Sequence, residues 1–200
     1  SQRMAEILAV APLTPDQLIF EDGHTLVVMK PAGLIVHRSD SSIDSLQEKV
    51  QAFVKLRGET FRTSPVHRLD IGTSGPVMFG KGVRATGLLG RLFMDGKVSK
   101  VYLALVCGAP QAAGDLTSPV PSHGKLKPSL TRFRRLARTE QFALLQLHLE
   151  TGRLHQLRRQ LAEAGWPILG DRRYGGQSRP GLEHPFLHCC TLRFPGLEDN

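Results

Sequence analysis

The sequence predicts an α+β chain, and two observations predict it. Short apolar stretches with strand patterning and longer stretches with helical spacing are interleaved, without the regular strand–helix–strand alternation of a parallel sheet. With 40% hydrophobic and 22% charged residues, the 200-residue chain has apolar side chains enough for one domain, or for two lobes sharing a core. No repeat, low-complexity tract or linker interrupts it.

Residues 1–16, with Pro12 and Pro15, read as a loose N-terminal leader, and 17–200 as a single domain. LIF at 18–20 and LVVM at 26–29 read as strands around the turn EDGH, and PAG at 31–33 breaks the chain before LIVH. In SSIDSLQEKVQAFVKL the apolar residues Leu46, Val50, Phe53, Val54 and Leu56 have helical spacing, with Ser41, Ser42 or Asp44 as the N-cap. PVMFGK at 76–81 is a strand. Residues 83–97 are a helix with Leu88, Leu89, Leu92 and Phe93 on one face and Gly96 as its stop. VSKVYLALVCG alternates as a strand does, residues 108–131 are rich in Pro, Gly and Ser and read as a long loop, and FALLQLHLE is another strand. TGRLHQLRRQLAEAGWP is the clearest helix, capped by Thr151 and ended by Gly165 and Pro167. GDRRYGG is a glycine-bounded loop, and HPFLHCCTLRF closes the chain as a strand.

The formal net charge is +8, which favours a polyanionic partner such as nucleic acid. Its distribution says more. Residues 122–138 hold Lys125, Lys127, Arg132, Arg134, Arg135 and Arg138 and no acid, and 151–179 hold Arg153, Arg158, Arg159, Arg172, Arg173 and Arg179 against Glu163 and Asp171. Such runs suit the tracking of phosphates, although a solvated cationic face would read the same way. Three cysteines without a CxxC make no disulfide framework, so a reducing, cytoplasmic setting is expected. No apolar run approaches the roughly 20 residues of a membrane span, and no signal peptide is visible.

One cluster stands out, HRLDIGTSG at 67–75. Its Asp70 has three readings on local grounds. An Asp-x-Gly-Thr turn resembles the phosphate loop of sugar kinases, but here it lies in mid-chain and no Gly-x-x-x-x-Gly-Lys-[Ser/Thr] loop accompanies it. Asp before Gly-Thr-Ser is also ordinary turn chemistry. Alternatively Asp70 is a nucleophile or base, kept ionised by Arg68 and by an arginine of the 153–159 segment. Other constellations are weaker. His184, His188, Cys189 and Cys190 are zinc-ligand types, but alternation along a strand sends Cys189 away from His188 and Cys190, so no metal site is expected. Ser74 lacks the Gly-x-Ser-x-Gly setting of a hydrolase nucleophile.

Five stretches, in order, then resemble one family. KPAGLIVHRS resembles a KPxGxxVH segment, HRLDIGTSG an HRLDxxTSG motif, and KVYLALVCG a K-x-Y-x-A-x-V-x-G strand. TGRLHQLRRQLAEAGWPILGDRRYGG resembles TGRxHQ[IL]RxHLAxxGxPIxGDxxYG, and FLHCCTLRF an LHAxxLxF strand. These are motifs of the RluA-like pseudouridine synthases. The resemblance implies a mixed, mostly antiparallel sheet flanked by helices and loops, with an active-site cleft, and isomerisation of uridine in RNA. It implies that Asp70 is the catalytic aspartate, that Tyr102 packs on the target base and takes part in proton removal from C5, and that Arg158 pairs with the aspartate. It places Leu157 in the pocket lining and Arg68 on RNA near the flipped nucleotide. Lys30 and Pro31 match the early loop, and Arg153 and His155 fall within the substrate-binding stretch. Departures from the pattern are Gln160 for a histidine, Cys189 for an alanine and Pro76 for a small or β-branched residue.

The resemblance implies no metal and no cofactor, since the reaction involves neither redox nor phosphoryl transfer. About 25 residues precede the first motif, so no S4-type RNA-binding domain is expected there. The VHRS segment and HQLRR are most similar to the tRNA pseudouridine synthase C subgroup, which acts at uridine 65 of tRNA. That makes tRNA the expected partner, with ribosomal RNA as the alternative, and a monomer the expected state. An RNA-binding chaperone without activity is the reading from another class.

Overall fold

The computed structural model describes residues 10–37, 44–122 and 124–197. These fall into two compact units, where the sequence reading expected one domain over 17–200. The first runs to Val98 and takes back the chain from Phe194, and the second is Ser99–Arg193. Both are α+β, with antiparallel sheets.

The first unit is a four-stranded sheet in the order β1-β2-β4-β3, comprising β1 (Leu18–Glu21), β2 (Thr25–Lys30), β3 (Thr63–Pro65) and β4 (Gly75–Lys81). β2 and β4 are central and buried along nearly their whole length, so they read as apolar runs rather than as alternation. Pro76 sits at the end of β4 opposite Met29, beyond the reach of β3, whose pairing covers only Phe79 to Lys81. One side of β4 is thus unpaired there and tolerates a residue without an N–H. Helix α1 (Leu46–Leu56) is capped by Ser45, whose hydroxyl accepts from the Glu48 N–H. Of the caps read from the sequence, Asp44 lies one residue too early, and Ser41 and Ser42 lie outside the described residues. Helix α2 (Gly82–Met94) ends at Gly96, which takes a φ of 67° as Lys97 N–H reaches back to the Leu92 carbonyl. Where α2 crosses β4, a Cβ on Gly80 would lie 2.5 Å from the Thr86 main chain, so only glycine allows the approach.

Residues 10–16 are not a loose leader. Leu13 is buried, Thr14 and Gln17 cap a short 3-10 turn, and Lys49 donates to the Ala11 carbonyl. Residues 1–9 lie outside the described residues. At the other end Phe194 meets Phe20 edge-on at 5.9 Å.

The second unit is a five-stranded sheet in the order β11-β5-β10-β9-β6. It contains β5 (Ser99–Cys107), β6 (Ala113–Leu116), β9 (Thr131–Arg138), β10 (Phe142–Leu149) and β11 (Leu187–Arg193), and a hairpin of β7 (Val120–Ser122) and β8 (Lys125–Lys127) lies beside it in sequence. Alternation places Tyr102, Ala104, Val106, Leu145, Leu147, Thr131 and Phe133 on the buried face. The segment read as a long loop, 108–131, in fact carries β6, β7 and β8. β9 was hidden by its four cations in eight residues: inward Thr131 and Phe133 alternate with outward Arg132 and Arg134. Arg135, next on the inward face by the same alternation, donates its guanidinium to the Pro110 carbonyl, and a bulge at Leu136, opposite Leu144 and Leu145, follows.

Helix α3 (Gln156–Glu163) is shorter than the sequence suggested. Its cap is His155, in the left-handed conformation at φ 54°, not Thr151. Thr151 instead bonds the Gln156 side chain at 2.8 Å and receives the Leu130 N–H. The predicted stop holds: Gly165 takes φ 82° and Trp166 N–H returns to the Leu161 carbonyl.

Candidate active site

In the first unit the site is built around a buried lysine. Lys30, the last residue of β2, is fully buried, and its ammonium donates to three carbonyls: Pro31 at 2.9 Å, Leu34 at 2.7 Å and Ile71 at 3.1 Å. Two of these belong to the PAG loop and the leucine that follows it, and the third to the turn that carries Asp70. Gly33 N–H ties the same segments together through the Ile71 carbonyl at 2.7 Å. Asp70, Ile71, Gly72 and Thr73 form a turn closed by Thr73 N–H to the Asp70 carbonyl, with Thr73 buried beneath it. Asp70 is half-buried. Burial pushes the Lys30 ammonium down to about 8, against the pull of the Asp70 charge. The KPAG and HRLD motifs are therefore one structure.

The neighbours of the turn follow from the same folding. His67 Nε2 accepts the Met78 N–H at 3.0 Å, and its ring stacks on Phe93 of α2 at 4.8 Å. Arg68 is exposed. Burial, and then the Arg68 charge, lower the pKa of His37, which favours its neutral form.

In the second unit Tyr102 lies on the central strand β5, 5% exposed, opposite Leu147 and Cys189. Burial raises the Cys189 thiol to about 11, so it stays protonated, and an apolar-like side chain stands where the family pattern has alanine. Arg158 of α3 is buried, and its fork is taken by Asp171: Nε to Oδ2 at 2.7 Å and Nη2 to Oδ1 at 2.8 Å. Asp171, 1% exposed, is a partner the sequence reading did not name, although it stands in the GDxxYG part of the motif. Leu157 is buried beside Arg158. His155 Nδ1 lies 2.9 Å from the Tyr174 hydroxyl. Arg153 is exposed in the loop before α3.

Two glutamines set the path of α3. Gln156 receives the Arg153 N–H and the Thr151 hydroxyl and donates to Thr131 and to the Leu130 carbonyl. Gln160, 1% exposed, receives the Thr131 hydroxyl at 2.7 Å, and its amide lies within bonding distance of the carbonyls of Leu116, Ser118 and Ser129. Gln160, a departure from the motif, is thus a buried brace between α3 and the 116–131 segment.

Residues 24–163, well over half of the chain, match the RNA pseudouridylate synthase family. The chain is 34% identical over 176 residues to the uncharacterized RNA pseudouridine synthase YhcT of Bacillus subtilis, covering 81% of this chain and 58% of that protein. It is 35% identical over 195 residues to the ribosomal large subunit pseudouridine synthase C of Vibrio vulnificus, covering 90% and 61%. To synthase D of Pasteurella multocida it is 32% identical over 181 residues, covering 83% and 55%. The chain therefore spans little more than half the length of these relatives. Among solved structures, human RNA pseudouridylate synthase domain containing 1 superposes with a TM-score of 0.71 at 28% identity, covering 90% of this chain and 78% of that one. Human RNA pseudouridylate synthase domain containing 4 superposes with a TM-score of 0.78, and its 24% identity speaks for the fold alone; 90% of this chain and 84% of that one are covered. The motifs, the pinned aspartate turn and these likenesses place the chain in the RNA pseudouridylate synthase family.

Proposed function

We propose that this protein isomerises a uridine of structured RNA to pseudouridine, with Asp70 as the catalytic carboxylate. The observation that carries the reading is the Asp70 turn, whose main chain is bolted to the KPAG loop by a buried ammonium while the carboxylate is left half-exposed. A turn residue of purely structural use would not need a fully buried lysine beneath it, because burying an ammonium carries a desolvation cost.

In this reading the uridine leaves its stack to reach the site. Asp70 assists cleavage of the N1–C1′ bond, the uracil turns, and C5 bonds to C1′ as the C5 proton departs and N1 takes up a proton. Tyr102 packs on the base and takes part in removing that proton. Arg158, its fork aligned by Asp171, supplies positive charge, and Leu157 supplies an apolar wall. Arg68, Arg153, His155 and Lys30 serve RNA binding or the shape of the site. The atom balance needs no redox partner and no phosphoryl donor.

The names of the relatives favour ribosomal large-subunit RNA as substrate. A second reading, tRNA at a position-65-type uridine, rests on the VHRS segment and on HQLRR. The test is release of tritium from RNA labelled at uridine C5. Wild-type protein should release it from one of the two RNA classes, and Asp70→Asn should lose at least about a thousandfold in rate while still binding RNA. Full activity in that variant would refute the assignment.

A further inference from the structure

Three guanidinium groups converge on one tyrosine in the second unit. The Cζ atoms of Arg158, Arg159 and Arg173 lie 5.0, 5.4 and 5.8 Å from the Tyr174 ring centroid. The electron-rich ring attracts each of them, but like charges so close repel one another. Asp171 answers the charge of Arg158. Among the described residues, neither Arg159 nor Arg173 makes an ion pair or a side-chain hydrogen bond. The Arg159 Nε is also buried without an acceptor. A shielded donor beside an exposed cation is an arrangement that an anion would complete.

The scaffold under the cluster is rigid. Tyr174 is held through its hydroxyl by His155 at 2.9 Å. Gly176 leaves no room for a side chain, since a Cβ there would lie 1.9 Å from the Ile168 carbonyl. The Gly176 N–H closes the loop onto the Asp171 carbonyl at 2.8 Å. Asp171 thus organises both Arg158 and the backbone that presents Arg173. Arg159 and Arg173 stand at positions which the motif patterns leave open.

We propose that Arg159 and Arg173, both packed against the Tyr174 ring, bind one phosphodiester group of the RNA backbone, outside the groups that carry the isomerisation. The planar fork of each guanidinium matches phosphate oxygens, and the ring keeps the two forks oriented before RNA arrives. The inference rests on the RNA-modifying reading of the chain.

The experiment is equilibrium binding of the full chain to a uridine-containing RNA hairpin across a salt series, for wild type, Arg173→Gln, Arg159→Gln and the double variant. Arg173 is exposed, so its variant should fold unchanged. Arg173→Gln should weaken binding about tenfold at low salt and flatten the salt slope by about one phosphate contact. Because both arginines hold one group, the double variant should lose less than the two single losses combined. A methylphosphonate scan should find one neutralised phosphate that weakens wild type but not the double variant. Slopes equal to wild type in both single variants would overturn the proposal, as would fully additive losses. Displacement by uridine monophosphate as effective as by RNA would make this a nucleotide site and overturn it too. The hairpin is bound whether or not it is modified. Absent tritium release therefore counts against the catalytic reading, and unchanged slopes in an active enzyme count against the phosphate site alone.

Discussion

In the first unit a buried cation, Lys30, grips three main-chain oxygens, whereas in the second a buried anion, Asp171, grips one edge of a guanidinium, its Nε and Nη2. The chemistry explains the division. An ammonium is a compact donor that reaches carbonyls arriving from several directions, so it fixes the course of a loop. A carboxylate meets a guanidinium in a plane, so it fixes the orientation of a side chain. Asp70 is positioned through its backbone and keeps its carboxylate half-exposed, while Arg158 is positioned through its own side chain and is buried. In the proposed reaction the carboxylate is placed from behind, through its backbone, and the supporting charge is held edge on, through its side chain.

The comparison breaks first at Asp70. Asp70→Asn should abolish tritium release, an effect of about three orders of magnitude or more, and lower the thermal midpoint only modestly, because the main-chain bond from the Thr73 N–H to the Asp70 carbonyl that closes the turn is kept. A large loss of stability would show the carboxylate to be structural. Asp171→Asn should do the opposite. Removing the partner of a buried guanidinium should cost about 4 kcal/mol in urea unfolding, and activity should fall with it. A cost below about 1 kcal/mol would mean that the pair is not needed to hold Arg158.

Lys30→Met should cost about 3 kcal/mol, since carbonyls of two loops lose their donor. The pH dependence sharpens this. The folded-state pKa of Lys30, about 8, lies below the 10.5 of the unfolded chain, so between these values the unfolded state binds more protons. Its contribution to unfolding free energy therefore rises with pH from about 8 to 10.5, as the charge is shed from the interior, and is flat below that window. The difference between wild type and Lys30→Met, followed by urea unfolding across that range, should show this rise. A fall would contradict burial as the cause. The smallest effect is expected at Gln160→His, which restores the residue common in the motif. A histidine can keep the Thr131 contact but reaches fewer carbonyls, for a loss of about 1 kcal/mol. No loss would show the glutamine brace to be dispensable.

Much of this site was legible without coordinates. Tyr102 and Asp70 stand in motifs whose spacing survives any detail of packing, and the strands around them have plain apolar patterning. What escaped detection was masked by charge or came from distant segments. β9 went without an assignment because its arginines outnumber the inward Thr131 and Phe133. The start of α3 looked like Thr151 because a threonine before a helical stretch is a good cap. In the fold that hydroxyl is drawn away to Gln156, and His155 bends the chain instead. The basic run of 122–138 looked like one phosphate-tracking face, yet Arg135 turns to the Pro110 carbonyl and Arg132 lies 3.8 Å from Glu150.

The sequence by itself determined the family, the α+β class, the order of the motifs and the aspartate on which the proposed reaction turns. These rest on residue identity and local periodicity, which are written along the chain. Only the tertiary structure decided that Lys30 lies beneath Asp70, that Asp171 holds Arg158, and that Arg159 and Arg173 meet at Tyr174. Each depends on segments between 13 and 41 residues apart being brought within a few ångströms. Local propensity does not encode such encounters, because burial and hydrogen-bond demand are satisfied only once the whole unit has folded.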